Sequence, residues 1–401
     1  MSGVITGQAR KAVYVAATRQ HVGKSSVCLG LMSSLRDTFD GNVGFIKPVG
    51  QRHTTCPTTG TKIDNDVHTV VDYFGMNPIP NLKSWSPVIL DRNHTRDVWL
   101  KQGGLDNSDL LEVKKQKIQK AYQDVTNAHE FTVVEGTGHA GVGSCVGLNN
   151  AHVAKLLNLD MIFIANGGLG KTYDELALNM NLAKMEGANI GGVVINKVQP
   201  DKLQQVSDFF TPVLKHWNVP LVGLVPYGDA LDSPTMRDYE ELFHTKRLSG
   251  TEHHTHYTDV QIVATGLRRF LEKLASGLYD ESIFVSHASR TDVVLGYLSH
   301  CKLYQMEHKK AFPGGLLVCG EDTQKPGGGT IDENKHLIKA IRAADDTTGI
   351  LFVNRAVQPA MVDIERNVAK LNADDPQRTS AVIKQYREHI LTDKVIYRNV
   401  L

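Results

Sequence analysis

Ala17-Thr18-Arg19-Gln20-His21-Val22-Gly23-Lys24-Ser25-Ser26 joins a β-branched apolar run, Ala12–Ala17, to a segment of helical period that continues to about Leu35. Gly-Lys-Ser at a strand-to-helix junction is the setting of a phosphate-binding loop. Backbone N–H groups at the helix N-terminus face phosphate oxygens, the lysine offsets β/γ-phosphate charge, and the serine hydroxyl ligates magnesium. Thr18, His21, Val22, Gly23, Lys24, Ser25 and Ser26 are therefore the expected nucleotide contacts. Thr18 stands five positions before Gly23, where the strict pattern has its first glycine. A turn that uses Gly and Ser for geometry alone is the competing reading.

Downstream of this loop, short apolar runs alternate with longer helical segments as far as about residue 242, which predicts β-α units around a mostly parallel sheet. The expected strands are Ala12–Ala17, Val43–Val49, Phe131–Glu135, Met161–Ala165, Gly192–Asn196 and Leu221–Val225. Ligands of such sheets gather beyond the carboxyl ends of the strands. There the sequence places Lys47, a cation for a transferred phosphoryl group or its acceptor. Glu135 ends another strand and precedes Gly136-Thr137-Gly138, small enough for close backbone approach to phosphate. Asp66 opens a helical segment and could reach the same ion, with Asp64 as a competitor; helix capping is the alternative for Asp66, and a structural ion pair for Glu135. Gly167-Gly-Leu-Gly-Lys-Thr172 reads as a tight turn near the same mouth. Asn196, Lys197 and Pro226, farther along, suit an adenine pocket.

A polar stretch, 244–258, predicts a linker between a nucleotide-binding domain over 1–243 and a smaller α/β domain over 259–401. In the latter, a helix is expected near Gln261–Ser276, strands at Ser282–Ser286, Leu316–Cys319 and Gly349–Val353, and two closing helices split near Ala373–Pro376. With 44 Lys and Arg against 43 Asp and Glu, no global field favours nucleic acid or an anionic membrane. No run of about 18 uncharged apolar residues occurs, so no membrane span is expected. Five scattered cysteines without a Cys-x-x-Cys pair speak against disulfides and a zinc cage, and fit a cytoplasmic protein. His253, His254 and His256 could bind a metal but read better as a solvated linker, and His139 could touch a phosphate or an acceptor carboxylate.

On these residues the first 240 or so positions resemble the dethiobiotin synthetase-like branch of P-loop proteins, which includes the cobyrinic acid a,c-diamide synthases. The loop around Thr18 and Gly23-Lys24-Ser25, Lys47-Pro-Val, Glu135-Gly136, Asn196 and Gly223-Leu-Val-Pro226 carry the likeness. The resemblance implies ATP and Mg2+ as cofactors, Thr18 and Lys24 on phosphates, Ser25, Asp66 and Glu135 on magnesium, Lys47 at the acceptor and Asn196 on adenine. Ser286-His-Ala-Ser-Arg290-Thr-Asp is similar to the signature of DRTGG domains, and the same domain pair opens the long phosphotransacetylases. With the chain ending at Leu401, acetyl-phosphate chemistry is not expected. The resemblance implies a homo-oligomer and two functions: γ-phosphoryl transfer to an unidentified small-molecule acceptor, a carboxylate or carbamate, or nucleotide sensing for regulation or assembly.

Overall fold

In a computed structural model, residues 9–55, 60–76, 82–90, 94–101, 108–228, 233–250, 255–320, 335–344, 349–367, 371 and 375–397 are described. The chain divides into two compact units, Met1–Gly228 with Leu371–Leu401, and Asp229–Lys370. The second unit is thus an insertion in the first. This differs from the expected boundary at 243/259: residues 233–243 go with the second unit, and of the closing helices Val357–Arg366 stays there while those after residue 375 return to the first.

The first unit is built on β1 (Ala12–Ala17), α1 (Lys24–Thr38), β2 (Val43–Ile46), α2 (Asn65–Tyr73), β3 (Phe131–His139), β4 (Asp160–Asn166), α3 (Gly170–Met185), β5 (Asn189–Val198) and β6 (Leu221–Pro226). The six strands form a parallel sheet in the order β6-β5-β4-β1-β3-β2. Every residue of β1 is buried, as expected of a central strand covered on both faces. The expected strand Val43–Val49 breaks at Lys47-Pro48, where proline supplies no N–H to a ladder. The Lys47 N–H leaves the sheet for the carbonyl of Trp85 (2.9 Å), and Val49–Gly50 pairs instead with Val88–Ile89.

The second unit also has a mostly parallel sheet, built from β7 (Arg247–Ser249), β8 (Asp259–Ile262), β9 (Ser282–His287), β10 (Gly315–Cys319) and β11 (Gly349–Val353) in the order β7-β11-β10-β9-β8. Only β7 runs antiparallel. Phe284, Leu316 and Val318 face α4 (Leu267–Ala275) and α5 (Thr291–His308). Ile283, Leu317 and Leu351 face the opposite side with Met236 and Tyr239. The helix expected to start near Gln261 starts at Leu267, because Asp259–Ile262 pairs with β9. The polar stretch read as linker supplies the edge strand β7, while His253 and His254 lie outside the described residues.

The chain re-enters the first unit as α6 (Pro376–His389) and a short helix, Thr392–Ile396. Val382, Ile383, Tyr386, Val395 and Ile396 are buried there. Arg10 pins the tail. Its guanidinium donates to Asp160 Oδ2 (2.7 Å) and to the carbonyls of Lys394 (2.9 Å), Val395 (2.8 Å) and Tyr397 (3.2 Å). Among the described residues no helix is long and apolar enough to cross a membrane, and Cys28, Cys145, Cys301 and Cys319 are free. Arg10→Ala is expected to lower the unfolding free energy by about 3–5 kcal/mol in urea denaturation, the cost of breaking a buried ion pair; an unchanged midpoint would contradict this role.

Candidate functional site

β1 delivers the chain into a turn made possible by two left-handed residues, His21 (φ 62°) and Gly23 (φ 87°). Gly23 has a second constraint. A β-carbon built there would lie 2.3 Å from Asn196 Nδ2 and 3.2 Å from the Tyr386 hydroxyl. The first helical bond of α1 runs from the Val27 N–H to the Gly23 carbonyl (3.0 Å), so the N–H groups of Lys24, Ser25 and Ser26 have no intrahelical acceptor. With no acid in the first turn, this end presents donors and positive dipole toward the carboxyl edge of the sheet.

Five of the expected residues converge at that edge. Lys24 Nζ is paired with Glu135 Oε1, which also accepts from the Ser25 hydroxyl (3.0 Å). Lys47 Nζ donates to Asp64 Oδ1 (2.8 Å) and to Asp66 Oδ2, and lies 4.0 Å from Glu135 Oε1. Asp64, left as a competitor of Asp66, serves a different end: it caps α2 by accepting the Asp66 N–H (3.0 Å) and holds Lys47. Glu135 is level with Val15 of β1, and its side chain is fully buried.

Two ammonium groups thus face three carboxylates, with Lys47, Asp64 and Glu135 buried and Asp66 partly exposed. Burial raises the Glu135 and Asp64 carboxyls above the usual range, against the pull of the lysines. Burial pushes Asp66 the same way, but Lys47 and Lys24 outweigh it and hold that carboxyl well below the usual range. Burial favours neutral Lys47, yet Asp66, Asp64 and Glu135 more than compensate and keep it protonated. Glu135 Oε2 and Asp64 Oδ2 are buried without hydrogen-bond partners among the described residues. Glu135 Oε2, the Asp66 carboxylate and the Ser25 hydroxyl are hard oxygen donors of the kind that suit magnesium. Among the described residues no group of three or more His, Cys, Asp or Glu is arranged to hold a metal ion.

Other expected contacts are placed differently. Thr18 turns its hydroxyl to Glu175 Oε2 on α3 (3.2 Å), while Asn179 Nδ2 holds the Thr18 carbonyl (3.0 Å). Gly136, Thr137 and Gly138 extend strand β3, which was expected to end at Glu135. Asn150 is the reason. Its amide oxygen accepts from the Tyr14 hydroxyl (2.9 Å) and the Thr137 N–H (2.8 Å), and its nitrogen donates to the carbonyls of Thr137 (2.7 Å) and His139 (2.6 Å). His139 is exposed, its Nδ1 accepting the Gly141 N–H (3.2 Å). Asn196 is buried on the far side of the loop, donating to the Val22 carbonyl (2.7 Å) and Tyr386 hydroxyl (3.0 Å). Lys197 follows with φ 55°, and the Pro226 carbonyl accepts from Gln385 Nε2 (2.7 Å). The glycines after β4 form a turn into α3, as expected, with the Thr172 hydroxyl on the Asn166 carbonyl (2.8 Å).

A central parallel strand leading through a Gly-Lys-Ser turn into a helix, with acids and a lysine at the neighbouring strand ends, defines a P-loop α/β protein. The chain belongs to the AAA_26 family of AAA domains, whose model matches residues 11–235. It is 29% identical over 299 residues to a phosphate acetyltransferase of Pseudomonas putida, covering 70% of this chain and 38% of that protein. It is also 29% identical over 221 residues to the ATP-dependent dethiobiotin synthetase BioD of Methanocaldococcus jannaschii, covering 53% of this chain and 92% of that one. A cobyric acid synthase of Clostridium perfringens is 29% identical over 133 residues, 30% of this chain and 25% of that protein. The chain thus spans less than half the length of the first of these relatives.

Asn150 carries the strand extension beside Glu135, so Asn150→Ala strands several buried polar groups at once. It is expected to cost at least roughly 1–3 kcal/mol of stability in urea denaturation; an unchanged midpoint would show that water replaces the amide.

Proposed function

We propose that the first unit binds MgATP at the turn between β1 and α1 and transfers its γ-phosphoryl group to a small carboxylate or carbamate. The observation that carries this reading is the meeting of Lys24, Ser25, Lys47, Asp66 and Glu135 at the N-terminus of α1. Their types and positions match the roles implied by the likeness to dethiobiotin and cobyric acid synthases. In this reading Lys24 binds phosphate oxygens and Glu135 faces the ion. Magnesium, held by Ser25, Asp66 and Glu135, supplies Lewis-acid neutralisation of phosphate charge when bound.

Lys47 is the residue assigned to the transfer. The acids around it keep it protonated, so it acts as a fixed cation and not as a base. It stabilises charge on the equatorial oxygens as the acceptor oxygen bonds to γ-phosphorus and the bond to the β,γ-bridging oxygen breaks, releasing ADP. For the base, Asn196 Oδ1 is buried without a partner among the described residues, an acceptor suited to the 6-amino group of adenine and not to the 6-oxo group of guanine.

A second reading, a nucleotide sensor, rests on one specific finding. The alignment with the phosphate acetyltransferase covers 70% of this chain, more than the nucleotide-binding region alone, in a relative whose name specifies a different reaction. Homo-oligomer formation belongs with either reading.

Titration calorimetry with ATP, ADP and GTP tests the binding. Wild type is expected to prefer ATP to GTP, and Lys24→Ala to lose roughly 100-fold in affinity, about 3 kcal/mol for a charged donor removed from phosphate. Lys47→Ala separates the two readings: with phosphoryl transfer it keeps binding and loses acceptor-stimulated ADP release across a panel of carboxylates and amines, whereas in a sensor neither protein turns over above background.

A further inference from the structure

The C-terminal helix has no counterpart in the phosphate-loop motif, yet it is packed directly on that loop. Tyr386 of α6 is buried, and its hydroxyl accepts a hydrogen bond from Asn196 Nδ2 (3.0 Å). The second N–H of the same amide goes to the Val22 carbonyl (2.7 Å). A carbonyl only accepts, so the orientation of the Asn196 amide is determined: its nitrogen points at Val22 and Tyr386, and both its protons are used. A β-carbon on Gly23 would come 3.2 Å from the Tyr386 hydroxyl, so the left-handed residue of the turn rests against the tyrosine as well. About two turns along α1, a β-carbon on Gly30 would lie 2.4 Å from the Tyr386 β-carbon, which shows how closely the two helices approach.

The residue before Tyr386 holds the other side of the region. Gln385 Nε2 donates to the Pro226 carbonyl (2.7 Å), and a β-carbon on Gly228 would lie 2.5 Å from Gln385 Oε1. Gly228 is the last residue of the first unit before the inserted one, and α6 is the first helix after it. Neighbouring side chains of one helix therefore grip the phosphate turn, through Asn196, and the chain that leaves for the insertion.

We propose that Tyr386 is a positioning residue of the nucleotide site: it holds Asn196 on Val22, keeps the Val22–Gly23 turn in its phosphate-binding shape, and thereby links nucleotide occupancy to the docking of α6. The inference rests on the nucleotide reading above. Linkage is reciprocal: a ligand that binds better when α6 is docked stabilises that docking by the same factor. The helix at the return from the insertion thus reports whether the phosphate turn is filled.

The test uses the full chain. Titration calorimetry measures MgATP affinity, and hydrogen exchange follows amides of residues 376–390 with and without MgATP. Tyr386→Phe removes only the hydroxyl. Ile383→Val, a buried residue of the same helix whose side chain offers no hydrogen bond to Asn196, serves as the comparison for general loosening of the helix. The expected result is that MgATP slows exchange in 376–390 of wild type by about tenfold, that Tyr386→Phe loses this protection and binds about five- to tenfold more weakly, and that Ile383→Val retains both. Equal MgATP affinity in wild type and Tyr386→Phe, or exchange in wild-type α6 that ignores the nucleotide, overturns the inference alone. Equal weakening by both variants, in step with their urea midpoints, overturns it too, since a purely structural helix behaves that way. No binding by wild type overturns the nucleotide reading and this inference together.

Discussion

Burying Lys24 and Lys47 against Glu135, Asp64 and Asp66 is the constraint around which the first unit is arranged. Removing such charges from water is costly, and the cluster persists only because each ammonium has carboxylate partners at close range. Three separate elements must therefore end at one point: α1 brings Lys24 and Ser25, β3 brings Glu135, and the break after β2 brings Lys47 to the start of α2. The parallel sheet makes this possible, since it sends all its strand ends to the same edge. The arrangement also leaves carboxylates in excess of ammonium groups, and two of their buried oxygens have no hydrogen-bond partner among the described residues.

Around this cluster the protein uses polar struts. Asn150 extends β3 past Glu135, Glu175 and Asn179 hold Thr18, and Asn196 holds Val22. The three asparagines meet backbone groups of the irregular turns, which is how a loop of little regular structure stays in one shape. Tyr386 and Gln385 attach the C-terminal helix to the same framework. A chain segment remote in sequence thereby becomes part of the wall of the phosphate turn.

Much of this was legible in the residues. β1 and β11 coincide with their expected bounds, and the remaining long strands differ by a few residues, because apolar β-branched runs bounded by turn residues have few alternatives. The loop, Lys47 and Glu135 were legible because charge at strand ends is conspicuous. Asn150 and Tyr386 were not: an asparagine at the start of one helix and a tyrosine inside another carry no local sign of the distant backbone they meet. The domain boundary was misplaced for a related reason. Helix periodicity shows that α6 has an apolar face but not which core receives it, and β7 is too short and polar to stand out from a linker. Thr18 was read from motif position, whereas its hydroxyl is directed by Glu175, more than 150 residues away in sequence.

The central proposal is that the turn between β1 and α1 binds MgATP, with Lys24 on phosphate oxygen. Its most direct test is a crystal structure of the full chain with magnesium and a non-hydrolysable ATP analogue. The account predicts the triphosphate in the turn of residues 18–25, Lys24 Nζ on phosphate oxygen, and the ion beside Ser25 and Glu135. Density showing the Lys24–Glu135 pair intact, with the analogue absent or bound elsewhere, would contradict it.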